Sequence, residues 1–130
     1  LYLFKFNKNI NEMILMIQKE VAIKFDYNEG KINKYKFFNK LVSNYKRCFN
    51  VPPTVFKPKP KVNSSVVKFQ FNNKNIDYKN LENFIKSIFV NKRKKISGKL
   101  NIKNFKDLSI GNKRVDELTI DEILKIYDFF

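Results

Sequence analysis

The sequence has 130 residues, 43% hydrophobic and 15% aromatic, which suffices for one core, or most of one, and is too little for two ordinary domains. Lys and Arg number 27 against 12 Asp and Glu, a net charge of +15 with no His, so the expected partner is anionic, although an AT-rich coding bias toward Lys, Asn and Ile accounts for part of that excess. No uncharged run approaches the roughly 18 to 20 apolar residues of a membrane-spanning helix. A single cysteine, Cys48, permits no internal disulfide, and the absence of His removes zinc clusters, catalytic triads and imidazole acid–base pairs. A lone thiol without a secretory leader fits a reducing, cytoplasmic setting, and a monomer with no membrane and no metal is expected.

The chain opens at Leu1, not Met, in an apolar stretch to Phe6, and reads as the downstream part of something longer. Met13 to Gln18 is a continuous apolar run of strand length, expected to be buried on both faces of a parallel sheet. In Lys19 to Phe25, Val21, Ala22 and Phe25 recur at helical spacing, and Asp26, Asn28 and Gly30 then end the helix. Tyr35 to Val51 has no clean period; Leu41, Val42, Tyr45, Cys48 and Val51 suggest an extended segment running to the pair Pro52 and Pro53.

From Pro52 to Lys61 the prolines lack donors and restrict their predecessors, which predicts a fixed, extended loop. Ser64 to Phe71 alternates in part and predicts a strand at or near a sheet edge. Asn72 to Asn75 is a polar linker. Asp77 is a helix N-cap before Leu81, Phe84, Ile85, Ile88 and Phe89, the best helical pattern in the chain. A second helix is expected over Arg93 to Leu100, interrupted at Gly98. A third begins at Thr119, where Glu122 completes a capping box and Ile120, Ile123, Leu124 and Tyr127 form the apolar face. The expectation is thus an α/β first part, residues 1–71, joined to a small helical part, residues 72–130.

Two features carry candidate chemistry. On the proline loop, Phe56 is flanked by Lys57, Lys59 and Lys61; a rigidly held aromatic between cations can stack an unpaired base and hold its phosphates, worth about 1–3 kcal/mol per base. Alternatively Phe56 plugs the core beneath the loop and the lysines are solvated. Lys92, Arg93, Lys94 and Lys95 follow the best helix and suit phosphate contact, or else form a solvated charge run. Gln18 and Glu20 lie just after the first strand, where α/β sheets place ligands, but one carboxylate defines no acid–base site and Glu20 equally suits a helix start. All three glycines stand alone, so no glycine-rich phosphate loop is present.

The order Met16-Ile-Gln18-Lys-Glu20-Val-Ala22, Val51-Pro-Pro, Phe56-x-Pro58-x-Pro60-Lys61-Val62-x-Ser64-x-Val66-Val67, Phe89-x-x-Lys-Arg-Lys94 and Asp116-Glu117-Leu118-Thr119 resembles the rRNA adenine N6-dimethyltransferase family. That family dimethylates adjacent adenines near the end of small-subunit rRNA, and the chain is similar also to the erythromycin-resistance methylases. The resemblance implies the C-terminal end of a class I, Rossmann-like methyltransferase sheet followed by a small all-helical RNA-binding domain. It implies S-adenosyl-L-methionine as cofactor, small-subunit rRNA or a pre-ribosomal small subunit as partner, Phe56 as the aromatic packed on the target adenine, and Lys92, Arg93 and Lys94 as the family's basic stretch.

The family's glycine-rich cofactor loop, acidic ribose-binding residue and Asn-Leu-Pro-Tyr motif all precede Gln-Lys-Glu and are absent from these residues. No cofactor-binding residue is therefore assigned, and catalysis by this chain alone is not expected. Asn63 stands where the family has Asp, and the family's Tyr-Gly-Arg-Leu-Ser stretch is reduced to Tyr35, Lys36, Phe37 and Phe38. The second reading is a non-catalytic basic RNA-binding module, or a remnant of the enzyme.

Overall fold

The structure is a computed structural model that describes residues 2–100 and 108–130; Leu1 lies outside the described residues. Its strands β1 (Glu12–Gln18), β2 (Ser43–Val51) and β3 (Ser64–Phe71) form one antiparallel sheet in the order β1-β3-β2. The helices are α1 (Lys19–Phe25), α2 (Lys34–Val42), α3 (Tyr78–Phe89), α4 (Leu108–Gly111) and α5 (Ile120–Asp128), with single 3-10 turns at Tyr2–Phe6, Pro53–Val55, Ile96–Gly98 and Val115–Glu117. All described strands precede residue 72 and all helices after it belong to the second part.

Several expectations need correction. The Met13–Gln18 run is a strand, but its partner in the described sheet is antiparallel and it is not buried on both faces. It pairs antiparallel with β3, from Glu12 opposite Gln70 to Gln18 opposite Ser64, while Ile14 and Met16 are 59% and 53% exposed. β3 is the central strand of the described sheet, not an edge strand, because β1 and β2 flank it. Its alternation of covered and open residues reflects one packed face, with Val67, Phe69 and Phe71 turned inward.

The region from Tyr35 splits into two elements. Residues 34–42 form α2, because Asn33 accepts hydrogen bonds from the Tyr35 and Lys36 amides and Phe37, Phe38, Leu41 and Val42 fall on one buried face. Only 43–51 is extended. The β2–β3 register shifts between Arg47 and Phe49, so Cys48 is a bulge residue. Arg93–Leu100 does not form a helix: a turn and the Ile96–Gly98 3-10 segment replace it, since the Ile96 amide pairs with the Lys113 carbonyl and Lys95 bridges to Arg114. A short segment containing Ser97 and Gly98 has little intrinsic helicity to oppose that pairing.

The core is one cluster running through both parts of the chain. Phe4 is its hub in the sheet layer, its ring 5.1 Å from Phe69, 5.3 Å from Phe38 and 5.4 Å from Phe71. Phe37 of α2 reaches the helical layer, 5.3 Å from Phe84 and 5.7 Å from Tyr127. The first residues are tied to the linker before α3 by Asn7, whose side-chain amide donates to the Lys74 carbonyl, and to α3 itself by the Tyr78 hydroxyl, which donates to the Phe4 carbonyl at 2.6 Å. Fully buried Asn39 donates to the Phe25 carbonyl and accepts from the Ser43 hydroxyl, joining α1, α2 and β2.

Candidate nucleic-acid interface

The loop 52–63 leaves the end of β2 and returns at the start of β3, its feet closed by the pairing of Val51 with Ser64. Pro52, at φ −71°, enters a 3-10 turn over Pro53–Val55, and the Phe56 amide donates to the Pro53 carbonyl at 3.2 Å. At the returning foot the Asn63 carbonyl accepts the Lys19 amide at 2.9 Å. The Ser65 hydroxyl donates to the Asn50 side chain at 2.8 Å, linking β2 to β3 just inside the loop. The loop therefore sits at the C-terminal end of β1, beside Gln18 and the first turn of α1. Gln18 and Glu20 are exposed there, and Glu20 is the one acid in that first helical turn.

On this loop Phe56 is half-buried and outside the central apolar cluster, while Lys57, Lys59 and Lys61 are exposed. Exposed Val55 and Val62 flank them. Cations and apolar surface alternate along a segment anchored at both feet, an arrangement suited to a base with its adjoining phosphates.

The second basic group, Lys92, Arg93, Lys94 and Lys95, lies exposed in the turn after α3. Asn91 adopts φ 53° at the helix end, and the Lys94 amide returns to the Asn91 carbonyl at 2.9 Å. The Lys99 ammonium donates to the Ile88 carbonyl at 2.6 Å, capping α3. Burial lowers the Lys99 pKa, and the charge of Asp116 works in the opposite direction. Through the Lys95–Arg114 bridge the fold brings Arg114 beside this turn. Sequence reasoning missed that residue; the adjacent charges Lys113 and Arg114 were visible, but nothing local reveals pairing across 19 positions. Lys113 is occupied with Glu122 at 2.6 Å. No hydrogen bond, ion pair or strand pairing among the described residues joins the 56–61 loop to the 92–95 turn.

Among the described residues no cluster of His, Cys, Asp and Glu could hold a metal, and no helix is long and apolar enough to cross a membrane. Cys48 is an exposed free thiol.

The fold is shared with solved methyltransferase structures. A dimethyladenosine transferase from Plasmodium falciparum superimposes with a TM-score of 0.74 at 20% identity, over 96% of this chain and 60% of that one. The 23S rRNA methyltransferase ErmE superimposes with a TM-score of 0.66 at 16% identity, over 92% of this chain and 55% of that one. Among curated proteins, ribosomal RNA small subunit methyltransferase A of Mycoplasma mobile is 38% identical over 110 residues, 82% of this chain and 42% of that protein. The same-named protein of Thermotoga maritima is 31% identical over 121 residues, 88% of this chain and 42% of its own length. The chain thus spans about half the length of the curated relatives it matches, 42 to 50% for those of Mycoplasma mobile, Thermotoga maritima and Campylobacter jejuni. The family model described as ribosomal RNA adenine dimethylase matches residues 2–130, and the chain belongs to that family.

Proposed function

We propose that these residues are the C-terminal part of an S-adenosyl-L-methionine-dependent rRNA adenine N6-dimethyltransferase. It is a monomeric, cytoplasmic enzyme that acts on small-subunit rRNA during ribosome maturation. Residues 1–71 supply the end of the class I methyltransferase sheet, and residues 72–130 a small helical domain that grips RNA. The observation that carries the reading is the family match over residues 2–130, together with a proline-anchored aromatic loop at the C-terminal end of β1. Phe56 stacks on the target adenine, Lys57, Lys59 and Lys61 hold the neighbouring phosphates, and Lys92, Arg93, Lys94 and Lys95 bind RNA further away.

The described residues do not fit a site for S-adenosyl-L-methionine. Gly30 lies in a turn after a helix, Gly98 in a 3-10 turn and Gly111 at the end of α4, so no glycine follows a strand to let a cofactor approach the backbone. β1 has an unpaired edge and an open face bearing Ile14 and Met16, which suits it to continue into a larger sheet carrying that site. These residues by themselves are then not expected to transfer a methyl group.

The test joins this chain to the preceding half of its Mycoplasma mobile relative and measures methyl transfer to unmethylated small subunits. Dimethylated adenine is expected, and Phe56→Ala should abolish transfer while leaving RNA binding largely intact. A folded, joined protein that binds RNA but leaves adenine unmodified would refute the enzyme reading in favour of a non-catalytic RNA-binding module.

A further inference from the structure

A cleft of about 530 Å3 separates the α1–α2 connection from the start of α5, and Lys36 lines it. Lys36 is 4% exposed, the only buried lysine among the described residues. Its ammonium donates to the Glu29 backbone carbonyl, and no carboxylate of the described residues lies within ion-pair distance. The two acids nearest in sequence are committed elsewhere: Arg47 takes Asp26 at 2.9 Å and also holds Glu29. A buried ammonium without a counter-ion is costly, and it sits in the first turn of α2, where the helix dipole favours anions and disfavours cations. The Glu29 carbonyl takes one of its three donors and leaves the others for a further acceptor.

We propose that the cleft is a phosphate subsite for a single-stranded segment of RNA, with Lys36 as the buried counter-charge. This rests on the RNA-binding reading above and names a contact separate from Phe56 and from Lys92–Lys95. Lys31, exposed at the cleft mouth, supplies the second cation. Gly30, at φ 63°, places its Cα side against Lys36, where an added Cβ would stand 3.5 Å from the ammonium. Tyr27, Ile32 and Ile120 give apolar wall for the attached nucleoside, and its volume is ample for one nucleotide. Asp116 lines the cleft too; its charge is felt by Lys99, and it suits a ribose hydroxyl or a base amino group, not the phosphate. At the start of α5 the amides of Thr119 and Glu122 are taken by the capping box.

The test uses the 130-residue chain and follows backbone amide resonances while a six-nucleotide single-stranded RNA, or inorganic phosphate, is added. RNA should shift Gly30, Lys31 and Lys36, with inorganic phosphate shifting the same amides at higher concentration. Lys36→Met, which keeps the aliphatic stem, should weaken RNA binding about tenfold and reduce the slope of log affinity against log salt by about 0.7. RNA binding with the cleft amides unmoved would overturn the inference and leave the RNA-binding reading standing. No RNA binding, with or without a phosphate shift, would overturn both. If Lys36→Met does not fold, the wild-type shifts alone decide between these outcomes, and Lys31→Gln, on an exposed residue, should still weaken RNA binding.

Discussion

Replacing Phe37 with Ala tests whether the sheet layer and the helical layer share one core. Phe37 is fully buried on α2, and its ring meets Phe84, Phe89 and Tyr127 at 5.3, 6.4 and 5.7 Å. Truncating a buried Phe costs about 3–5 kcal/mol, and removing a ring that packs on three others favours the upper half of that range. For 130 residues the unfolding entropy is about 0.27 kcal/mol/K, so a loss of about 4 kcal/mol lowers Tm by about 15 °C. Circular dichroism at two wavelengths would follow the transition, with Val55→Ala, at a 62% exposed position, as a control that stays within about 2 °C. A single transition shifted by that amount is expected. A shift under about 5 °C, or two transitions of which only one moves, would refute a shared core and make 1–71 and 72–130 independent folding units.

Asn39→Ala should cost about 1–3 kcal/mol, because the Phe25 carbonyl loses its side-chain donor while the Ser43 hydroxyl keeps the Asn39 backbone carbonyl at 3.2 Å; a urea midpoint shift worth less than about 0.5 kcal/mol would contradict this. Replacing Lys92, Arg93 and Lys94 together with Gln should flatten the salt dependence of RNA binding by about 0.7 for each phosphate these side chains neutralise, and an unchanged slope would show that they face only solvent. Glu122 makes stability depend on pH. Desolvation pushes its carboxyl up, but hydrogen bonds from Lys113 and from the amide and hydroxyl of Thr119, with the Lys113 charge, outweigh it, and the net shift is below the ordinary 4.5. The stabilisation is therefore complete above that ordinary value and disappears as pH falls through the lowered one; Glu122→Gln should lower Tm at pH 7 and show less further loss on acidification, and equal acid sensitivity in both proteins would count against it.

The parts of the fold that local rules specify were legible. Asp77 and Thr119 cap α3 and α5 as their spacing predicts, with Asp77 accepting from Lys79 and Asn80 and the Thr119–Glu122 box closed in both directions. The run before Gln18 is a strand, and the proline segment is a loop. Parallel or antiparallel orientation was not legible, since β1 meets a partner about fifty residues away and an apolar run carries no direction. Nor was the helix over 34–42: its signal lay in Asn33 and in paired apolar residues interrupted by Lys36 and Asn39, both buried by neighbours that only the assembled fold supplies. The same holds for Arg114, whose neighbour Lys95 is near only in space. Phe56 and the loop lysines could be named from their pattern, but their place beside β1 depends on the Asn63–Lys19 bond between remote segments.

The bulge in β2 gives Cys48 a significance unrelated to its sulfur. Upstream of it Arg47 faces Val67, and downstream Phe49 faces Val66, so β2 carries one residue more than β3 at this point. Asn50 meets Ser65 just beyond it. Cys48 is the unmatched extra residue: serine or alanine could replace it at little cost, and deleting it would leave Arg47 opposite Val67 and Asn50 opposite Ser65 in a regular ladder, removing only the local bend and added twist with which β2 runs into the proline segment. The direction in which Phe56 is offered is in this sense set by a bend one residue wide.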